Sequence, residues 1–164
     1  MILLITILIY FFTVFVILRL IVPYYGFKTS PLPNKIPQSF QAIIDSLNHK
    51  SIDNYDYLRK SYDYITDHYY GSRTDTLLKF WMAFQNPFKY DRGFMPCNTL
   101  NTLLKIMLIR SNRFKNSQIR TRVVFLNCFI HQFLEVKIND KWIQVDPSYK
   151  VYGIPFGRAA IGFK

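Results

Sequence analysis

The sequence predicts an α+β fold, with helices packed on an antiparallel sheet and an apolar helix ahead of them. Three observations predict it. Helical apolar spacing recurs in four stretches between residues 39 and 108. Strand-like runs rich in β-branched and aromatic residues follow, between 121 and 145. A helical layer followed by antiparallel strands is the α+β arrangement. The third observation is the run Ile2 to Val22, apolar or aromatic except for Thr6, Thr13 and Arg19. It matches the roughly 20 residues that cross a bilayer's hydrocarbon as a helix.

These features divide the chain into a transmembrane anchor at 1–26, a Pro-rich linker at 27–38 and a domain at 39–164. In the anchor, Arg19 can snorkel to the interface and Tyr24-Tyr25 suit its aromatic belt. A cleaved signal peptide needs a basic start and a small-x-small cleavage site. No Lys or Arg precedes the run, and no such site follows it. Basic residues flank the run only on its C-terminal side, as Arg19, Lys28 and Lys35, which orients the domain toward the cytoplasm. In the linker, Pro31, Pro33 and Pro37 break helix and make a semi-rigid spacer.

Ser39 is a suitable N-cap for a helix with Phe40, Ile43, Ile44 and Leu47 on one face. Asp53 caps a second, whose stripe is Tyr55, Leu58, Tyr62, Ile65 and Tyr69; that stripe reads as core or groove lining. Gly71-Ser72 ends it. A third runs from Thr74 to Phe84, where Asn86-Pro87 stops it. The fourth is the clearest, with Leu100, Leu103, Leu104, Met107 and Leu108 at i, i+3, i+4, i+7 and i+8. Strands follow at Thr121–Leu126, His131–Ile138 and Trp142–Val145, with Asn139-Asp140 as the hairpin turn between the last two. The tail from Val151 shows no clear pattern.

The chain has 164 residues, half of them hydrophobic and 18% aromatic, which excludes a disordered chain. Its formal net charge is +11. Such charge beside an anchor suits anionic headgroups or an acidic substrate. No nucleic-acid-binding motif is present, so nucleic acid is not an expected partner. The two cysteines make neither a disulfide framework nor a C-x-x-C pair, and no paired His motif occurs, so no metal or cofactor is expected.

Three residues stand in a chemically meaningful order. Cys97 precedes the fourth helix, His131 opens a strand, and Asp146 ends the next one. A thiol, an imidazole and a carboxylate are the parts of a nucleophilic cysteine site. Taken singly each is bland: a small structural Cys, a strand His, an Asp-Pro turn. Cys128, at a strand end, is a weaker nucleophile candidate, and His49 and His68 lie on polar helical stretches. Glu135 shares the strand face of His131 by period-two alternation and is in reach of Lys137.

The segments His131-Gln132-Phe133-Leu134-Glu135-Val136 and Trp142-Ile143-Gln144-Val145-Asp146-Pro147 carry a family likeness. With Cys97 at a helix start, and Phe84-Gln85-Asn86-Pro87-Phe88-Lys89-Tyr90 before it, the pattern resembles the transglutaminase-like superfamily, relatives of the papain-like cysteine proteases. The resemblance covers about residues 74–150. The position usually Ala-Trp reads Gln132-Phe133, Pro96 precedes the nucleophile, and the loop 111–116 lacks the usual Gly. The resemblance implies a Cys97–His131–Asp146 triad, attack on an amide or ester carbonyl of a peptide or protein, and a thioester resolved by water or an amine. A peptidase or amidase is the first reading and a cross-linking transferase the second. The alternative is a non-catalytic module that binds a peptide or glycan in the same cleft. The Cys97 N–H is one expected oxyanion donor, and Gln85 is the polar side-chain candidate for another.

Overall fold

The fourth amphipathic stretch becomes α5 (Cys97–Arg110), the element around which the helices gather. Its apolar stripe, Leu100, Leu103, Leu104, Met107 and Leu108, is fully buried, as its spacing requires. The computed structural model describes residues 2–14, 31–126 and 129–160. In chain order these include α1 (Ile2–Phe12), α2 (Gln38–His49), α3 (Asn54–His68), β1 (Tyr69–Tyr70) and α4 (Arg73–Leu78). Then come β2 (Gly93–Phe94), α5, β3 (Ile119–Leu126), β4 (Phe129–Ile138) and β5 (Lys141–Val145). The class is α+β.

Helix α2 buries Phe40 and Ile44 but begins two residues earlier than an N-cap at Ser39 suggested. Pro37 holds the N-cap at φ −57°, and its carbonyl accepts from the Gln41 N–H at 3.1 Å. The ring's fixed φ sets the helix start ahead of the serine. Asp53 does cap α3, accepting from the Asp56 N–H at 2.8 Å. Leu58, Tyr62, Ile65 and Tyr69 are buried as expected, whereas Tyr55 is 49% exposed. The Tyr57 hydroxyl donates to the Met107 carbonyl at 3.0 Å and ties α3 to α5. The expected third helix divides. Arg73–Leu78 is α-helical, Lys79 leaves helical geometry at φ −124°, and Phe80–Phe84 tightens into a 3₁₀ turn.

Two small sheets complete the domain. β1 and β2 pair in parallel, and β3-β4-β5 form an antiparallel meander. Asn139 and Asp140 both take positive φ, 47° and 63°, the conformation a tight hairpin needs, which these two side chains tolerate without glycine. Leu134, Val136, Val145 and Ile119 join the leucines of α5 in one core cluster.

The linker is not a free spacer where it is described. Leu32 and Ile36 pack on the core, and the Arg110 guanidinium donates to the carbonyls of Pro33 and Asn34 at 3.0 and 2.7 Å. Helix α1 has 11 residues, none of them buried. At 1.5 Å per residue it is about 16 Å long, against about 30 Å of hydrocarbon. Among the described residues no helix is long and apolar enough to cross a membrane. Positions 15–22 of the expected span lie outside the described residues.

Candidate active site

Cys97 is the first residue of α5. Pro96 at the N-cap, φ −60° and ψ 153°, turns the extended chain into the helix, and its carbonyl accepts from the Leu100 N–H at 3.1 Å. The entering strand is fixed by the Met95 N–H donating to the Tyr70 carbonyl at 3.0 Å. The thiol therefore sits beside the first-turn N–H groups, which lack intrahelical acceptors and form the positive end of the helix dipole.

His131 lies on β4 and is buried, at 3% exposure, and Asp146 follows the end of β5 at 1%. The antiparallel register sets Leu134 opposite Val145, which carries Asp146 toward the start of β4. His131 Nε2 and Asp146 Oδ2 are 2.7 Å apart. The same carboxylate oxygen accepts from the Ala160 N–H at 3.1 Å, so the tail closes over it. Cys97 and His131 line one cleft, close enough for the imidazole to act on the thiol. The Tyr149 ring meets the imidazole edge-on at 4.5 Å between centroids.

The electrostatics follow from this contact. Burial pushes the Cys97 thiol up, but the hydrogen bond and positive charge of His131 pull harder, with help from the Gln132 backbone, and its pKa falls below that of an ordinary thiol. Burial pushes His131 down, yet its bonds to Asp146 and Cys97 raise it to about 9. Each group favours the charged form of the other, so the contact favours the thiolate–imidazolium pair.

Helix and strand are joined one turn past the nucleophile. Asn101 Nδ2 donates to the Gln132 carbonyl at 2.7 Å, both residues being buried. Gly71, which also lines the cleft, approaches Ser148, the residue after Asp146-Pro147. A Cβ there would lie 2.4 Å from the Ser148 carbonyl oxygen and 2.9 Å from its Cα. The cleft so formed is open to solvent and includes Cys97, His131, Arg73, Thr76, Tyr149 and Tyr152 in its lining.

The three expected residues thus meet at one point. Gln85 does not join them. It lines a separate cavity with Thr99, Thr102 and Ile106, and its Oε1 accepts from the Tyr90 hydroxyl at 3.0 Å. The segment before it, Phe80–Phe84, is a 3₁₀ turn. Cys128 lies outside the described residues. His49 is exposed, and His68 Nδ1 is 2.8 Å from the Tyr64 carbonyl on its own helix. Glu135 pairs with Arg120 at 2.6 Å and Arg122 at 3.7 Å across the sheet, not with Lys137, which holds Asp140. Its opposite number in the register is Arg120, a cross-strand pair.

Gly71, Arg73, Tyr149 and Ala160 were not read from the sequence. Tyr149 follows the Asp-Pro turn closely enough to have been a candidate. Nothing in the spacing of Gly71 or Arg73 links them to Cys97. No family model, curated protein or solved structure matches this chain.

Proposed function

We propose that this chain is a membrane-attached, transglutaminase-like cysteine enzyme that transfers acyl groups from peptide or protein amides, chiefly to water. The observation that carries this reading is the buried imidazole of His131, 2.7 Å from Asp146 and lining one cleft with Cys97, whose thiol it makes more acidic. A structural cysteine has no use for an imidazolium, and a buried imidazolium is costly unless its charge is used or paired.

The Cys97 thiolate attacks the carbonyl carbon, and its electrons pass to the carbonyl oxygen. Helix N–H groups at Cys97 oppose the resulting oxyanion. Collapse breaks the C–N bond as the His131 imidazolium gives its proton to the departing nitrogen. A thioester and a neutral imidazole remain. His131 then takes a proton from water, the hydroxide adds to the thioester carbon, and the thiolate leaves as the acid forms. Asp146 holds the ring in orientation and stabilises its charge throughout.

Membrane attachment is supported by α1, apolar on every side and exposed along its length. Such a helix needs an apolar surrounding.

The test is labelling of the full-length chain in detergent with a peptide-like electrophile, compared in Cys97→Ala and Cys128→Ala. Labelling lost only in Cys97→Ala is expected. Labelling at the rate of an ordinary thiol, or unaffected by Cys97→Ala, overturns the assignment and leaves the peptide-binding module.

A further inference from the structure

Resting on that reading, we propose that Arg73 is a specificity residue that selects acyl donors carrying a carboxylate next to the scissile amide. Arg73 is the first residue of α4 and lines the same cleft wall as Cys97 and His131. Its side chain is held from one side only. Nε donates to the Tyr149 hydroxyl at 3.1 Å, and the guanidinium carbon lies 5.5 Å from the Tyr149 ring centroid and 5.8 Å from that of Tyr152. The Arg73 backbone N–H donates to the Tyr152 hydroxyl at 3.1 Å, which fixes the start of the helix under the side chain.

Among the described residues the charge has no carboxylate as ion-pair partner. Asp75, the nearest in sequence, is held by Lys79 at 2.8 Å. The Nη groups, which carry four of the guanidinium's five donors, have no acceptor among the described residues. An oriented, half-buried guanidinium with a free fork, stacked on two aromatic rings beside a nucleophile, is built for a planar anion. A carboxylate fits that fork with two parallel hydrogen bonds. It can reach the wall from an acidic side chain or from the free C-terminus of the substrate. A protonated lysine is repelled from the same place.

Three chloroacetyl amides distinguish these cases: chloroacetyl-Glu-amide, chloroacetyl-Gln-amide, and chloroacetyl-Gln with a free carboxylate. Cys97 displaces chloride from each, and the amide stands where the scissile bond would. Alkylation of Cys97 is followed by mass spectrometry in the full-length Cys128→Ala chain. The ratio of an acidic probe to the neutral one is compared within each variant, so changes in thiol reactivity or folding cancel. A ratio of about tenfold or more is expected, falling to near one in Arg73→Gln and staying above one in Arg73→Lys. The two acidic probes tell side-chain from terminal carboxylate. A ratio near one with both, or one that survives Arg73→Gln, overturns the inference while leaving the thiol chemistry intact. Failure of the chemistry itself reads differently: all three probes, the neutral one included, then modify Cys97 no faster than a free cysteine.

Discussion

At Cys97 and His131 the acidities of two residues set the pH range of the reaction. The thiol lies below its ordinary value, and the imidazole holds its proton to about 9. Acyl transfer needs the thiolate and the protonated ring together. The rate therefore rises on an acid limb below the roughly 8.5 of a free cysteine and falls on an alkaline limb near 9 as His131 loses its proton. Alkylation by iodoacetamide needs the thiolate alone, so it keeps the acid limb and lacks the fall. A single alkylation step at the pH of a free thiol would show that His131 does not activate Cys97. Asp146→Asn removes the anionic acceptor of the imidazole while keeping its shape. It is expected to lower kcat by about 10²–10⁴ and shift the alkaline limb to lower pH. An unchanged alkaline limb would mean that His131 owes its raised pKa to Cys97 alone.

Between elements, the site depends on two joints that hold α5 and β1 against the sheet and its following turn. Asn101 Nδ2 bridges α5 to β4 at the residue after His131. Asn101→Leu takes the Asn101 donor from the buried Gln132 carbonyl, a loss of about 1–3 kcal/mol. Thermal unfolding should show the loss, and Cys97 alkylation should slow with it. A destabilised chain with an unaltered thiol would assign the bond to folding only. Gly71→Ala forces a Cβ against Ser148 backbone that has no rotamer to yield. It should cost about 1–3 kcal/mol, read as a lowered denaturant midpoint, and a midpoint equal to the parent's would mean that the two segments separate freely. Local periodicity made much of this scale legible. The stripe of α5, the cap at Asp53 and the three strands follow from residues near in sequence. The Pro37 start and the break at Lys79 did not, because backbone constraint and a tightened last turn overrode the apolar pattern. Cys97, His131 and Asp146 were legible because their elements were. Gln85 was named for its polarity alone, and polarity does not tell which of two cavities a side chain lines. Arg73 and Gly71 reach the cleft only through the parallel pairing of two-residue strands, which leaves no periodic trace.

Over the whole molecule, charge and surface bear on where the proposed enzyme would work and what would accept the acyl group. A formal charge of +11 beside an exposed apolar helix favours an anionic membrane surface. The full-length chain is expected to stay with vesicles through carbonate extraction, and its release would remove the membrane from the proposal. The same charge bears on the second half-reaction. A transferase must admit an amine acceptor and exclude water from the thioester. The cleft is open to solvent, and its wall carries Arg73 without an ion-pairing carboxylate among the described residues. A protonated lysine approaching the thioester meets that charge, whereas water meets no barrier. Hydrolysis should therefore outrun aminolysis. The measurement supplies one acyl donor with and without a primary-amine probe at about millimolar concentration, near the upper end of ordinary KM values, and compares acid released with amine incorporated. Arg73→Gln should raise the amine share by weakening the repulsion. Incorporation that exceeds hydrolysis in the parent chain would make the protein a transglutaminase, with Arg73 no obstacle to its acceptor.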